Sequence, residues 1–437
     1  MLRPALLTGK LLRLLRGKKS GRAVGAAALV LCPNLYSRLS VEGKILVITG
    51  SDGKSSVCAL VTHMLRAAGH RVVTNCEADG RSVGTAAALV SAATLKGKIP
   101  CDYLVLEADG RTSDALLSLG KPDFLLVTDL FAHHGPTSSR RAALLSLIDR
   151  AVDGHTRLIL NAMEPAAADL RPELGRTFFG ASPAEGLSAE GHNLVSAGSL
   201  CPRCGRALSY RFVFHHHIGD YHCAHCGAVT PRADYLLTSF SASAPECAVN
   251  GIPFPAELAA PYHYLNITAA TALICETLGI TPGEAAGLCA GYRLPAAFYT
   301  ECALKGRRAV SLLCRTGNPI SLDRGLEYAA GRAETKTVLL WVDRPRHPAE
   351  EDVSWLYDTT FELLRGRAEC VVCAGDCRLD VAARLVYAGL PRESILLCGQ
   401  EGELAPLLST TRGTLYILAD RERAGRILRA LQKGDRA

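Results

Sequence analysis

The chain has 437 residues, of which 48% are hydrophobic and 21% charged, a balance typical of a globular protein with two or three domains. Lysine and arginine outnumber aspartate and glutamate by 49 to 42, and the resulting net charge of +7 is too small to indicate a nucleic-acid-binding protein. No run of about 18 apolar residues occurs, so the sequence predicts no transmembrane helix.

The first 40 residues are basic and rich in leucine, and we interpret them as an N-terminal arm. The apolar stretch from Val24 to Cys32 is short, and no small-residue cleavage site follows it. An amphipathic helix is therefore favoured over a targeting signal. The basic residues leave contact with a membrane surface open as a further role.

Between residues 41 and 298, apolar strands alternate with helical patterns, and this span is predicted to be one domain. "KILVITG" predicts a strand, and the residues from Val57 to Ala68 predict a helix. Further strands are predicted at "DYLVLEADG", "DFLLVTDLF" and "TRLILNAMEP". Continuous apolar strands separated by helices indicate a parallel sheet that is covered on both faces.

The turn "GSDGKSS" lies between the first strand of this domain and its first helix. Gly50 and Gly53 allow the backbone to wrap phosphate oxygens, and Lys54, Ser55 and Ser56 offer a cation and hydroxyls for phosphate and Mg²⁺. The spacing G-x-x-G-K-S is shorter than the usual G-x-x-x-x-G-K-[ST]. A phosphate-binding loop is therefore predicted, with an ordinary strand–helix turn as the alternative.

Acidic residues and histidines follow the next two strands of the predicted sheet. Glu107 and Asp109 stand at the end of one strand, where carboxylates beside a phosphate loop can hold Mg²⁺. A solvated strand end is the alternative for both. His133 and His134 follow the next strand, where either a metal contact or a surface loop is possible.

Most of the 17 cysteines stand singly in apolar runs, which is typical of buried free thiols in a reducing compartment. An insert at about residues 199–230 differs, because two CxxC pairs occur there at the spacing C-x2-C-x18-C-x2-C: Cys201, Cys204, Cys223 and Cys226. Four thiolates in two close pairs predict a structural Zn²⁺ site, with redox or free thiols as the alternative. The neighbouring His215, His216, His217 and His225 are expected to be surface residues.

Residues 299–437 predict a second α/β domain. Five segments read as strands with helical patterns between them: "AVSLLCRTGNP", "TVLLWVDRP", "AECVVCAGD", "ESILLCGQ" and "GTLYILAD". This alternation again indicates a parallel sheet with helices on its faces.

These segments together resemble the MurT family, the Mur-ligase-like subunits of lipid II isoglutaminyl synthase. "VITGSDGKSS" is similar to the ATP loop of Mur ligases, and the four-cysteine insert, "YHYLNITAATAL", "GNPISLDRGLEYA" and "EEDVSWLYDTTFELL" narrow the resemblance. It runs from about Gly21 to the end of the last domain. It implies a Mur-ligase-like α/β central ATP-binding domain with a parallel sheet and a zinc-ribbon insert, followed by a Rossmann-like C-terminal domain.

The resemblance also implies an activity. The family works as a heterodimer with a GatD-type glutaminase, which releases ammonia from glutamine. The MurT-like subunit uses MgATP to activate the α-carboxylate of D-glutamate in the lipid II stem peptide, and ammonia converts it to D-isoglutamine. The implied cofactors are ATP, Mg²⁺ and structural Zn²⁺. The implied location is the cytoplasm, at the inner face of the membrane, with no nucleic-acid partner.

Site residues follow from the resemblance position by position. The ATP loop would comprise Gly50, Ser51, Asp52, Gly53, Lys54, Ser55 and Ser56. Ser55, Glu107 and His134 would contact Mg²⁺, and Asn266 in "YLNITAA" matches the adenine-binding asparagine. In "DVSWLYD", Asp352 first and Asp358 second would complete the partner's Cys–His pair. The alternative for both is a turn or helix-cap carboxylate.

Several positions depart from the family pattern near the expected reaction centre. Asp52 places a carboxylate in the loop, Asp129 replaces an asparagine, and "LPAAFYTE" lacks the usual arginine near residue 297. Three other functions therefore remain open. These are a divergent MurT-like protein that binds nucleotide or partner without amidating lipid II, a Mur-type ligase for another acid, and a zinc-ribbon ATPase that binds nucleic acid.

Overall fold

The computed structural model of the protein describes most of the chain. The described residues are 2–16, 21–76, 82–108, 118–130, 138–183, 189, 191, 193–194, 200–240, 246–255, 261–304, 306–315, 317–344 and 352–433. Two compact units result. The first comprises Met1–Ala132, Thr137–Gly191 and Ala197–Arg293, and the second comprises His133–Pro136, His192–Ser196 and Leu294–Ala437. No helix in the described ranges is long and apolar enough to cross a membrane.

The first unit is built on a nine-stranded sheet. Two small sheets accompany it, one formed by β1 and β4 and the other by β9 and β10. The strands of the unit are β1 (Ser40–Val41), β2 (Lys44–Thr49), β3 (Val72–Thr74), β4 (Lys98–Ile99), β5 (Tyr103–Ala108), β6 (Phe124–Val127), β7 (Arg157–Asn161), β8 (Arg176–Ala181), β9 (Ser209–His215), β10 (Ile218–His222), β11 (Tyr235–Phe240), β12 (Cys247–Val249) and β13 (Ile252–Phe254). The strand order of the large sheet is β13-β12-β11-β8-β7-β6-β2-β5-β3. Every pair from β11 to β3 is parallel, and only the β11–β12–β13 edge is antiparallel.

The helices of the first unit are α1 (Leu2–Arg16), α2 (Gly21–Leu31), α3 (Lys54–Ala67), α4 (Ser82–Ala92), α5 (Ser138–Ala151), α6 (Pro165–Ala168), α7 (Pro261–Leu278) and α8 (Pro282–Cys289). The central strands β2 and β5 are buried along nearly their whole length, so both faces of the sheet are covered. This burial explains the continuous apolar runs in the sequence, since a parallel sheet between two helical layers has no polar face.

Helices α1 and α2 pack beside α4 at one side of the first unit. Ala5 and Leu6 of α1 are fully buried in a core that also contains Val24 of α2 and Leu89 of α4. The N-terminal arm is therefore two helices, and one face of α1 belongs to the hydrophobic core.

The second unit has a six-stranded sheet of order β14-β15-β19-β16-β17-β18. Its strands are β14 (Tyr299–Leu304), β15 (Arg307–Leu313), β16 (Lys336–Trp341), β17 (Cys370–Ala374), β18 (Ile395–Cys398) and β19 (Thr414–Ala419), and its helices are α9 (Pro319–Ala330), α10 (Arg378–Tyr387), α11 (Leu404–Ser409) and α12 (Arg421–Lys433). All pairs except β14–β15 are parallel. The structure therefore contains the second parallel sheet that the sequence predicts.

A buried aspartate of α9 holds an irregular segment of the second unit. Asp323, with no exposed surface, accepts hydrogen bonds from the Thr360 amide at 2.7 Å and the Thr360 hydroxyl at 2.8 Å. It also accepts one from Asn193 Nδ2 at 3.2 Å. These bonds fix residue 360 between the short 3-10 turns Ser354–Tyr357 and Phe361–Leu364. Asp323 thus positions the segment that contains Asp352 and Asp358.

We expect Asp323→Ala to destabilise the second unit by about 2–4 kcal/mol, because buried donors lose a charged acceptor. Both tryptophans of the chain, Trp341 and Trp355, lie in this unit, so tryptophan fluorescence during urea unfolding reports on it alone. Asp376→Asn at the exposed Asp376 is the control and should shift stability by no more than about 0.5 kcal/mol. Equal midpoints for the two variants would contradict the anchoring role.

Candidate functional site

The loop between β2 and α3 adopts a backbone that only glycine accommodates at two positions. Gly50 has φ 138° and Gly53 has φ 79°, in the left-handed region. A Cβ at Gly50 would lie 2.1 Å from Thr128 Oγ1, and a Cβ at Gly53 would lie 2.7 Å from Asn266 Oδ1. The loop is therefore both turned and closely packed, as a backbone that wraps phosphate oxygens must be.

Lys54 is the first residue of α3 and is only 2% exposed. Its ammonium group donates to the Gly50 carbonyl at 2.5 Å and to the Ser51 carbonyl at 3.1 Å. The cation is thus held across the loop, at a helix N-terminus where backbone amides favour an anion. Ser56 follows in the first helical turn.

Ser55 and Glu107 come together beside the loop. Ser55 Oγ donates to Glu107 Oε1 at 2.8 Å, and Glu107 is buried. This pairing arises because β2 and β5 are adjacent and parallel, with Ile48 opposite Glu107 in the register. A hydroxyl and a carboxylate at this position are oxygen ligands of the kind that Mg²⁺ prefers.

Asn75 orients Glu107, a role that the sequence did not indicate. Asn75 Oδ1 accepts from the Glu107 amide at 2.8 Å, while its Nδ2 donates to the Glu107 carbonyl at 2.9 Å. The same Nδ2 group also donates to Thr85 Oγ1 at 2.9 Å. Asn75 is buried after the short strand β3, so the carboxylate of Glu107 stands on a fixed backbone.

Asn266 lies on α7, which packs against α3. Its side-chain oxygen is the atom nearest to the position that a Cβ of Gly53 would occupy. The structure thus brings Asn266 to the loop. Its binding of adenine stays a prediction, and its amide can both donate to and accept from a base.

Asp129, two residues after the end of β6, contacts the loop directly. Its carboxylate Oδ1 accepts from the Ser51 amide at 2.6 Å and from the Asp52 amide at 2.9 Å. Asp129 is 1% exposed, so its charge is poorly screened by water. Two loop amides that an anion would attract are therefore engaged by the protein's own carboxylate. The sequence marked Asp129 only as a departure from the family pattern.

We expect Asp129→Asn to strengthen binding of ADP about five- to ten-fold. The amide oxygen can still accept from the loop, while the negative charge beside the phosphates is removed. The matched control is Asp123→Asn, at the residue just before β6. Asp123 accepts a hydrogen bond from the Ile45 amide, at the end of β2 that is far from the loop. Titration calorimetry with MgADP measures both, and weaker binding by Asp129→Asn would show that this carboxylate supports the loop.

The four cysteines of the insert form one cluster. Their sulfur atoms all lie within 4.8 Å of one another, with 3.5 Å between Cys201 and Cys226 and 3.6 Å between Cys204 and Cys223. A tetrahedral site with Zn–S bonds of about 2.3 Å requires sulfur separations of about 3.8 Å, so the cysteines fit this ion. Among the described residues, no other group of histidines, cysteines or acidic residues is arranged to hold a metal.

Each cysteine pair is shaped by a glycine turn. The Gly205 amide donates to the Cys201 carbonyl at 2.8 Å, and the Gly227 amide donates to the Cys223 carbonyl at 3.0 Å. Both glycines have positive φ values of 68° and 74°. Hydrogen bonds from the amides of Cys226 and His225 lower the pKa of Cys223 to about 6 despite the opposing effect of burial. Cys223 therefore favours the thiolate that binds metal.

The prediction that His215, His216 and His217 lie on the surface is wrong. All three are buried, whereas His225 is exposed as expected. The hairpin of β9 and β10 folds onto the first unit, with the Gly219 amide donating to the Met163 carbonyl at 2.9 Å. His217 Nε2 then lies 3.5 Å from Glu164 Oε1. None of the three joins the sulfur cluster.

The two aspartates considered for the partner lie in the second unit. Asp352 is exposed and accepts from both the amide and the hydroxyl of Ser354, at 2.8 and 2.9 Å. It therefore forms a local turn with Ser354, and its role toward a partner stays a prediction. Asp358 ends this turn and is half-buried. Asp109 and His134 lie outside the described residues.

A buried arginine holds the segment after these aspartates. Arg384 Nη2 donates to the Thr359 carbonyl at 3.0 Å and to the Glu362 carboxylate at 2.9 Å. Its guanidinium also lies 5.5 Å from the centre of the Phe361 ring. With Asp323, this arginine gives an irregular segment a defined conformation.

The chain is similar to known proteins over most of its length. Residues 316–420 match the family model described as MurT ligase C-terminal. The chain is 23% identical over 395 residues to the lipid II isoglutaminyl synthase (glutamine-hydrolyzing) subunit MurT of Staphylococcus aureus strain COL, covering 85% of both chains. It is 25% identical over 391 residues to the subunit of the same name from Streptococcus pneumoniae strain ATCC BAA-255 / R6, covering 85% of this chain and 83% of that protein.

Solved structures of ligases have a similar fold. A pseudomurein peptide ligase type C from Methanothermus fervidus superposes with a TM-score of 0.65 and 14% identity, covering 91% of this chain and 80% of that one. The MurF ligase of Thermotoga maritima in complex with ADP gives 0.58 and 16% identity, covering 95% and 85%. These neighbours confirm the prediction of a Mur-ligase-like α/β fold. Over most of its length the chain is similar to the two MurT subunits, and its C-terminal part matches the MurT ligase C-terminal model.

Proposed function

We propose that this chain is the ATP-dependent ligase subunit of a glutamine-hydrolysing lipid II isoglutaminyl synthase. The named activity of the two MurT relatives supports the proposal. The observation that carries it is the glycine loop with Lys54 across it and the Ser55–Glu107 pair beside it, in a chain with the Mur-ligase fold. The ADP bound in a related ligase supports a nucleotide at this loop.

The proposed reaction has two balanced steps. The γ-phosphoryl group passes from ATP to the α-carboxylate of D-glutamate in the stem peptide, and ADP leaves. Ammonia then attacks the acyl carbon, inorganic phosphate leaves with the bonding electrons, and the nitrogen gives up a proton. The product is the α-amide, D-isoglutamine. Mg²⁺ supplies charge neutralisation for the transferred phosphoryl group.

In this scheme the residues of the chain position the nucleotide and the metal and neutralise the phosphate charge. Lys54, turned from its carbonyl partners, would donate to the phosphate oxygens. Ser55 and Glu107 would hold the metal, with Glu107 fixed by Asn75. Most of the rate enhancement for phosphoryl transfer comes from such positioning and electrostatic stabilisation. Structural Zn²⁺ would be held by the four cysteines, whose closed shell leaves no position for a substrate.

A GatD-type glutaminase is the proposed partner. The proposed location is the cytoplasmic face of the membrane that carries lipid II. The subunit naming of the relatives supports a complex. One aspartate of the Asp352–Asp358 segment would orient the partner's histidine and stabilise its cation. Asp323 and Arg384 hold this segment in place.

The two aspartates can be separated by substitution. Asp358 is half-buried. Asp352 is exposed and so accessible to a partner, although it already accepts a hydrogen bond from Ser354. We expect Asp352→Asn to lower the glutaminase rate of the complex by at least about 100-fold, because the histidine loses its orienting charge. ATP binding by this chain should be unchanged. A normal rate for Asp352→Asn with a low rate for Asp358→Asn would assign the role to Asp358.

A divergent nucleotide-binding protein is the second candidate, and the position of Asp129 favours it. Its buried carboxylate occupies the loop amides of Ser51 and Asp52, which adds negative charge where the phosphates would bind. Such a chain could bind its glutaminase partner and nucleotide weakly and leave lipid II unchanged.

The deciding experiment is reconstitution with a GatD-type glutaminase from the same organism. The complex should co-purify and convert lipid II to its isoglutamine form only when both glutamine and ATP are supplied. Mass spectrometry of the stem peptide measures this change of about 1 Da. ATP hydrolysis without amidation, under conditions in which the S. aureus complex works, would reject the first function in favour of the second.

A further inference from the structure

The positive charge of this protein is concentrated at its N-terminus. Residues 1–41 contain eight lysines and arginines and no aspartate or glutamate, and the first acidic residue is Glu42. The rest of the chain therefore carries 41 basic residues against all 42 acidic ones. The excess positive charge of the whole protein thus belongs to the N-terminal arm.

Helix α1 within this arm has two apolar faces. Ala5 and Leu6 are buried, and a Cβ at Gly9 would lie 2.5 Å from Val90 Cγ1 of α4, so this face is closely packed. The other face consists of leucines at helical spacing that are 53%, 57%, 83% and 73% exposed, in the order Leu7, Leu11, Leu14 and Leu15. The packed face fixes the helix, and the exposed leucines face away from the core.

Cations accompany the exposed leucines. Arg3 and Arg13 of α1 are exposed, and Lys10 is half-buried. At the start of the helix, Arg3, Arg38 and Lys96 line one shallow groove together with Leu2 and Leu95. Leu95 is itself 43% exposed. Apolar and basic groups therefore lie together at the start of α1, and further cations occur along the helix.

We infer that this α1 surface docks the protein onto an anionic lipid bilayer. Leucines on one helical face can enter the boundary between headgroups and acyl chains, while flanking lysines and arginines are attracted to acidic headgroups. A second protein surface would bury the leucines equally well, but the absence of any acidic residue in the arm favours a uniformly negative partner. Helix α1 would lie in the plane of the membrane surface.

The docking surface has a test that needs no substrate. The full chain should co-sediment with vesicles of phosphatidylglycerol and phosphatidylcholine, but not with phosphatidylcholine alone. Binding should fall as salt increases, because the surface charges become screened. Without the zwitterionic comparison, vesicle binding could not be assigned to charge.

Two pairs of matched variants test the residues. Arg3→Glu with Arg13→Glu should weaken binding at least about 100-fold, since each cation near an anionic surface contributes about five-fold and here is reversed. Leu11→Gln with Leu14→Gln should weaken it by a similar factor. Controls change exposed residues elsewhere in the same way: Arg206→Glu with Arg392→Glu, and Leu379→Gln with Leu397→Gln. The controls should bind as the unchanged chain does.

Circular dichroism verifies that each variant is folded, and the charge reversals alter only exposed side chains. Vesicle binding that is equal for the α1 variants and their controls would overturn the inference, as would failure of the unchanged chain to bind acidic vesicles at low salt. If sedimentation velocity shows a dimer for the unchanged chain and a monomer for the leucine variant, the surface binds a second copy of the chain instead. The result is independent of lipid II amidation, because loss of amidation with intact vesicle binding rejects only the proposed function.

Discussion

Replacing Lys54 with alanine should weaken binding of MgADP and MgATP about 100-fold. Lys54 is 2% exposed and its ammonium group lies 2.5 Å from the Gly50 carbonyl, so it stands directly over the loop. A hydrogen bond to a charged group contributes about 1.5–3 kcal/mol, and the upper value corresponds to a factor of more than 100 in affinity.

Lys44→Ala is the matched control for this experiment. Lys44 begins the strand that ends at the loop, and its side chain is exposed. Titration calorimetry with MgADP should give nearly the same affinity for this control as for the unchanged chain. Unaltered affinity in Lys54→Ala would remove the nucleotide site from this loop, together with the proposed reaction.

The variant Ser55→Ala distinguishes the contribution of the metal to nucleotide affinity from that of the phosphate contacts. This variant keeps Lys54 and the loop amides but removes the hydroxyl that bonds Glu107 at 2.8 Å. We expect it to reduce the gain in affinity that Mg²⁺ gives, with a smaller effect on nucleotide binding in the absence of Mg²⁺. A variant that loses both equally would indicate that Ser55 supports the loop itself.

The sequence predicted the parallel sheets and the core of this site because local patterns encode them. Two glycines before Lys54 indicated the loop, and the strand that ends near Glu107 indicated that its carboxylate would reach the loop. Parallel pairing then brings Ser55 and Glu107 together, since adjacent strands end at the same edge of the sheet. The cysteine spacing similarly contained all the information for the sulfur cluster.

The residues that the sequence did not assign are those that act through tertiary contacts. Asn75 and Asp323 are polar residues whose partners lie 32 and 37 positions away. Local spacing carries no sign of such pairs. The buried histidines were misjudged for the same reason. Three consecutive histidines are usually exposed, and only the folding of their hairpin against Met163 and Glu164 buries them.

Loss of the cysteine cluster should remove zinc and open the ribbon. Purified chain is expected to contain about one zinc ion, and Cys201→Ser with Cys204→Ser should reduce this to less than about 0.1. The apolar cluster of this region is small: Ala168, Cys201, Leu208, Tyr221, Cys223 and Ala228. Cys201 and Cys223 are themselves metal ligands, so little apolar surface remains to hold the two cysteine turns when the ion is absent, whereas the β9–β10 hairpin keeps its buried Phe212 and Ile218.

The expected opening is local. Structural zinc contributes about 10–16 kcal/mol in isolated zinc-finger peptides at neutral pH, far more than a cluster of this size can supply. Hydrogen exchange should therefore accelerate strongly in residues 200–208 and 222–230, while β2, β5 and β6 keep their protection. Chelation by a zinc-selective agent should have the same effect on the unchanged chain and be reversed when zinc is added back.

Cys302→Ser with Cys370→Ser is the matched control, since both residues are half-buried thiols of the second unit. This variant should keep its zinc and the slow exchange of the ribbon. Zinc content that is unchanged in the Cys201 and Cys204 variant would contradict the site. Binding of MgADP distinguishes loss of the zinc site from loss of the nucleotide site. The ribbon variant should retain it within about three-fold, because Lys54 and Glu107 are held by β2, β5 and Asn75, whereas Lys54→Ala should lose nucleotide and keep zinc.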